Sequence, residues 1–98
     1  MTVHYYNATL ADTEGKEFHA TVFWDKLKPG KLTVHVCPRT GPSEVGYPVW
    51  SHVNAGVTRS GLSAIVEELK RKAVAAGWRV VEERPTEFAA KLRDGDEN

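Results

Sequence analysis

One stretch of the chain has a helical repeat of apolar residues, and it marks the only long helix that the sequence predicts. Apolar residues recur there at spacings of three and four, which places them on one side of an α-helix: Leu62, Ile65, Val66, Leu69, Ala73 and Ala76. Ser60 or Ser63 can cap its start, while Gly77 suits the position after the last turn, with Trp78 folding back on that turn. The apolar side of such a helix has to be covered by another element.

The residues before the helix predict that this element is a sheet. Residues 3–10 are rich in strand-forming side chains, and residues 17–25 and 32–36 alternate between apolar and polar positions, as half-buried strands do. A turn at residues 12–16 and a Pro-Gly turn at residues 28–31 separate these runs. Short turns join antiparallel neighbours, so we expect a three-stranded meander.

Residues 78–83 predict a further strand after the helix, whereas residues 86–93 fit a short helix and a strand equally well. The predicted fold class is therefore α+β, in the order β-β-β-α-β. It comprises an antiparallel three-stranded meander, one amphipathic helix packed on one sheet face, a further strand and a short C-terminal element.

The length of 98 residues is typical of one domain, and we expect it to span residues 1–93. Residues 94–98 predict an acidic disordered tail that holds three of the chain's 13 acidic residues. The zero net charge of the whole chain thus hides a mildly basic body, without the strong basic character of a dedicated nucleic-acid binder. The chain has one cysteine, Cys37, and no signal-peptide pattern or apolar run of membrane-spanning length, which favours a cytoplasmic protein.

Residues 38–58 do not fit the regular pattern, because 21 residues with three prolines and three glycines are long for a connection in a compact domain. Two alternatives are open: an exposed functional loop, or an edge strand over residues 49–53, which Pro48 at its start would tolerate. If exposed, Tyr47, Val49 and Trp50 would make an apolar anchor, with His52 and Arg39 as its polar rim.

Catalytic motifs are not found in the sequence. The segment around Ser43 lacks the glycine spacing of a nucleophile elbow, and residues 57–61 lack the glycines and lysine of a phosphate-binding loop. The alternation places His19, His35 and Cys37 on the sheet face away from the helix, where zinc could be held by nitrogen and sulfur. Their spacing matches no common zinc motif, so a half-exposed polar strand face is the favoured interpretation. We expect no enzyme, no cofactor and no metal.

The sequence favours a small accessory protein that binds another protein through the 38–58 segment and the adjacent sheet edge. The alternative is a nucleic-acid-binding domain that uses the basic residues Lys26, Lys28, Lys31 and Arg39, which follow one another without an intervening acid. A zinc-dependent hydrolase is the third hypothesis. Pairing of two copies through a free sheet edge is a further expectation, because an open sheet leaves edges to be covered.

Overall fold

A computed structural model describes residues 2–27, 30–39 and 50–92 of the chain. In these ranges the elements are β1 (Thr2–Ala11), β2 (Glu17–Asp25), β3 (Lys31–Pro38), β4 (Trp50–Gly56), α1 (Arg59–Ala75), β5 (Arg79–Pro85) and a 3-10 helix (Glu87–Lys91). The predicted α+β class is confirmed: β1 to β3 form the meander, and α1 packs on the sheet. The order β-β-β-α-β lacked β4, which corresponds to the edge-strand alternative for the irregular segment.

The strands form one antiparallel sheet in the order β4-β3-β2-β1-β5. The chain runs from β1 to β4 by neighbouring pairs, crosses the sheet as α1, and returns as β5 on the far side of β1. Among the described strands, the outer ones are therefore β4 and β5.

The core lies between α1 and one face of the three central strands. Alternate residues of these strands point to the core, and those that are buried there are Tyr6, Ala8, Leu10, Phe18, Ala20, Val22, Leu32, Val34 and Val36. The helix contributes Ile65, Leu69 and Ala73 to the same core. The alternation predicted for residues 17–25 and 32–36 thus marks the core face correctly. Each fully buried Leu or Val contributes roughly 1.5–3 kcal/mol to stability, so this layer holds the helix on the sheet.

The turn predicted at residues 12–16 joins β1 to β2, and the Asp12 side chain closes it. One carboxylate oxygen, Oδ1, accepts hydrogen bonds from the backbone N–H of Glu14 at 2.9 Å and of Lys16 at 2.8 Å. Gly15 adopts a φ of 85°, a left-handed conformation that glycine tolerates best.

The start of α1 differs from the prediction, because its N-cap is Thr58 and neither Ser60 nor Ser63. The Thr58 hydroxyl oxygen accepts a hydrogen bond from the Gly61 N–H at 3.0 Å. The helix begins at Arg59, so both serines already lie inside it and cannot serve as the extended residue that a cap requires.

The end of α1 follows the prediction. Gly77 has a φ of 82°, and its N–H donates to the Val74 carbonyl at 3.0 Å, while the Trp78 N–H donates to the Ala73 carbonyl at 2.8 Å. This is the paired Schellman pattern, which turns the chain back over the last helical turn. The Trp78 ring then stacks on Phe18 with a centroid distance of 4.3 Å.

The C-terminal element takes the helical alternative, as a 3-10 helix capped by Thr86. The Thr86 hydroxyl donates to the His4 carbonyl at 2.7 Å, and its N–H donates to the Tyr5 carbonyl at 3.0 Å. These bonds fix the short helix to β1. The predicted tail, residues 94–98, lies outside the described residues.

Gly61 provides a test of how β4 joins α1. A Cβ at this position would collide with the Gly56 carbonyl oxygen, so Gly61→Ala is expected to lower the free energy of unfolding by about 2 kcal/mol. Replacing Gly by Ala within a helix usually raises the free energy of unfolding by roughly 1 kcal/mol, so the effect expected here has the opposite sign. Urea unfolding of Gly61→Ala and of Ser63→Ala, an exposed site in the same helix, measures the difference, and equal stabilities would contradict the close approach.

Candidate functional site

The predicted anchor segment is only partly within the described residues. Tyr47 and Val49 lie outside them, and Trp50 is the first residue of β4. Trp50 and His52 are paired with Val36 and Val34 of β3, which places both on the helix face. Their rings are stacked, with centroids 6.2 Å apart and planes 7° from parallel.

Trp50 is partly buried and packs against the core. The Lys72 ammonium lies over its ring at 5.4 Å from the centroid, a cation–π contact that holds the end of β4 against α1. Much of this indole therefore contributes to folding. A substitution of Trp50 would change stability as well as any partner contact.

Arg39 is exposed and lies at the same end of the sheet as Trp50. The Arg39 guanidinium Nη1 is 3.4 Å from Glu17 Oε1. The backbone N–H of Arg39 donates to the backbone carbonyl of Glu17 at 3.1 Å. The structure thus places three of the predicted site residues, Arg39, Trp50 and His52, at or beside the β4 side of the sheet.

The two outer strands differ in chemistry. β4 has the sequence WSHVNAG, without Asp, Glu, Lys, Arg or Pro. β5 has the sequence RVVEERP, with four charged residues, a terminal proline and a bulge opposite Thr9 and Leu10. Charges, proline and bulges are the usual means of protecting an edge from pairing with another chain. β4 has a shift of register opposite Leu32 and Thr33, but it has no charged residue and no proline.

The sheet face away from α1 carries the polar residues that the alternation predicts. His19 is the direct cross-strand partner of Cys37, and His35 is the partner of Thr21. Burial is the first cause that lowers the pKa of His19, followed by the positive charges of Arg39 and Arg84 and by His4. Burial also raises the pKa of the Cys37 thiol.

A group of three or more metal-ligating side chains does not occur in the described part of the chain. His19 and Cys37 are adjacent, but this pair alone does not make a zinc site with three protein ligands. The zinc hydrolase remains a prediction from the sequence alone.

An aromatic cluster on the same face was missed by the sequence reasoning. Phe23 lies between two histidines, 5.7 Å from the His4 ring and 4.9 Å from the His35 ring, the latter edge-on. His4 Nδ1 is also hydrogen-bonded to Thr21 Oγ1 at 2.9 Å. The register between β1 and β2 pairs His4 with Phe23, so the cluster becomes visible only once that register is known.

The basic residues of the nucleic-acid hypothesis lie at two ends of β3. Lys26 and Lys31 lie at its start and Arg39 follows its end, a separation of roughly 26 Å at the rise of an extended strand. Lys28 lies outside the described residues. Nucleic-acid binding stays a prediction, with the three described residues divided between the two ends of the sheet.

A polar network of three side chains joins β1, β5 and α1 on the side of the sheet that α1 covers. The Tyr6 hydroxyl donates to Glu83 Oε1 at 2.8 Å, and the Lys70 ammonium is 2.9 Å from the same oxygen. Burial, followed by Glu83, raises the pKa of Tyr6 well above its ordinary value, while the hydrogen bonds from Lys70 and Tyr6 lower that of Glu83. The network ties β1, β5 and α1 together and has a structural explanation.

No known protein family, curated protein or solved structure matches this chain. Within the described ranges, no helix has the length and apolar character needed to cross a membrane. The functional argument therefore depends on the geometry of the chain itself.

His19 makes stability depend on pH. Folding lowers its pKa from 6.5, so the unfolded chain takes up a proton that the folded side chain resists. Stability is expected to fall as the pH drops below about 6.5 and to level off below the folded pKa. His19→Gln should reduce this fall, whereas His52→Gln, on the helix face, should keep it. Urea unfolding at pH 7.5 and pH 5 measures both, and an unchanged slope in His19→Gln would contradict the assignment.

Proposed function

We propose that this protein is a protein-binding domain that acts through the outer strand β4, and that the strand it binds is β4 of a second copy. The two β4 strands would pair antiparallel about a two-fold axis and join two sheets into one. The observation that carries the proposal is that the edge strand β4 has no charged residue, whereas β5 at the opposite edge of the sheet has four.

An outer strand presents backbone N–H and C=O groups without a strand neighbour on one side. In β4 this row is seven residues long, comparable to an ordinary strand in a globular protein. The side chains leave the approach open: Ser51 is small and exposed, Val53 is partly buried, and Gly56 has no side chain. A second strand can therefore reach the edge without burying a charge.

The local charges favour a second copy of this chain as the partner of β4. A two-fold axis brings each β4 residue close to residues of the same strand, where like charges would repel, and β4 has no charged residue. Glu68 of α1 lines a recess with His52 and Ala55 of β4. The Glu68 carboxylate forms a salt bridge with Arg71 of the same helix. The flank of α1 above β4 thus carries both signs of charge, as an interface that meets its own copy requires.

The sequence suggested the whole 38–58 segment and the adjacent sheet edge as the binding surface, and the proposal uses only β4 of that surface. Trp50 contributes to the core, so its replacement would not separate binding from folding. Ser51 is the better probe, because it is exposed and paired with His35 on the face away from α1. Its replacement leaves the core contacts intact.

Sedimentation equilibrium of the full chain is expected to show a reversible monomer–dimer transition. Ser51→Lys should raise the dimer dissociation constant about tenfold, because two symmetry-related lysines would be brought to one strand pair. Ser51→Thr keeps the strand uncharged and should dimerise like the original protein.

Val81→Lys is the matched control on the opposite edge. Val81 is 50% exposed on β5, so this variant adds the same charge to the sheet without touching β4 and should dimerise normally. A chain that is monomeric at every concentration, or equal association of Ser51→Lys and Ser51→Thr, would overturn the proposal. Loss of the dimer in Val81→Lys alone would assign the interface to the other edge.

A further inference from the structure

A small apolar cleft lies between the last turns of α1 and the sheet, with an indole on either side. Its volume is about 110 Å³, and it is lined by Leu10, Val36, Trp50, Leu69, Lys72, Ala73, Ala76 and Trp78. Two alanines, Ala73 of α1 and Ala76 at its C-cap, line the space that larger side chains would fill. The cleft opens to solvent at the end of the sheet where β4 begins.

The walls of the cleft are held in place by contacts already described. Trp78 stacks on Phe18, and its N–H is bonded to the Ala73 carbonyl. Trp50 is held by β3 on one side and by the Lys72 ammonium on the other. A preformed cavity binds a ligand without the cost of ordering its walls.

Among the described residues that line the cleft, Lys72 is the only one with a charged side chain. In the described part of the chain its ammonium contacts the Trp50 ring and no acidic side chain. An ammonium at the mouth of an apolar cleft is complementary to an anion attached to an apolar group.

We infer that this cleft binds a small apolar carboxylate, with its ring or branched alkyl group between Trp50 and Trp78 and its carboxylate on Lys72. An engineered apolar cavity of about 150 Å³ holds benzene. The cleft is somewhat smaller but open, so it suits a ring of about six atoms whose carboxylate stays outside. The inference concerns a small molecule and does not depend on pairing through β4.

The first experiment titrates benzoate and its neutral analogue, benzyl alcohol, into nitrogen-15-labelled protein. The indole N–H signals of Trp50 and Trp78 are expected to shift with both compounds, and benzoate should bind more tightly. Trp24 lies on β2 and does not line the cleft, so its indole signal should not move.

Lys72→Met tests the charge while keeping a long apolar stem. It is expected to raise the benzoate dissociation constant about threefold, the effect of losing one exposed ion pair, and to leave that of benzyl alcohol unchanged. Lys91→Met is the control, because Lys91 also lies over an aromatic ring, that of Phe88 at 5.6 Å, but is not part of the cleft. Its affinities should equal those of the original protein.

Ala76→Leu tests the cavity itself. Ala76 is exposed at the end of α1, so the added side chain should fill the mouth of the cleft and abolish the shifts of Trp50 and Trp78 with either compound. No shift of these signals in the original protein, or equal weakening of benzoate binding by Lys72→Met and Lys91→Met, would overturn the inference. Undiminished binding to Ala76→Leu would place the ligand elsewhere and overturn it as well.

Discussion

In the residues that the structure describes, one amphipathic α-helix has to cover a sheet of five strands, and it can cover only one face. Ile65, Leu69 and Ala73 bury the apolar side of α1 against the three central strands, so one row of alternate residues becomes the core. The other row has no helix over it in the described part of the chain. It carries threonine, histidine and serine beside Phe23 and Cys37, and the polar residues among these tolerate water and still favour or accept a strand.

The uncovered face nevertheless contains buried positions, because neighbouring side chains shelter one another. Phe23 is 8% exposed and lies between the rings of His4 and His35, and Thr9 and Thr33 are 4% and 3% exposed. Partial burial beside Arg39 and Arg84 is also what lowers the pKa of His19. The polar face is thus a packed layer whose charge state matters to folding.

Much of this architecture could be predicted from local periodicity. The alternation in β2 and β3 and the repeat in α1 describe which side chains meet in the core, and Gly77 marks the end of the helix because few other residues adopt its conformation. The start of α1 was harder, since three hydroxyl residues, Thr58, Ser60 and Ser63, can all cap. The choice among them follows from where β4 ends.

The candidate sites depended on register, which local patterns do not contain. His19 and Cys37 could be placed on one face by counting, but their direct pairing requires the alignment of β2 with β3. β4 was ambiguous because Ser51, Ala55 and Gly56 break its apolar pattern and because its register with β3 shifts near Thr33. The return of Trp78 onto α1 could be predicted, but the cleft also needs Trp50 placed beside Lys72 by the pairing of β4 with β3, which local patterns do not contain.

Trp50 belongs to both proposed sites, and this sharing sets how they would influence each other. Its backbone begins β4, while its ring forms one wall of the cleft. The ring is already held by the pairing of β4 with β3 and by Lys72 in the absence of a ligand, so a ligand has no wall to order and should change the pairing of β4 only slightly. By thermodynamic linkage, pairing should then change the affinity of the cleft by the same small factor. Ser51 lies on the sheet face away from α1, whereas Lys72 belongs to α1 on the other side of the sheet, so either site can be changed while the other stays intact.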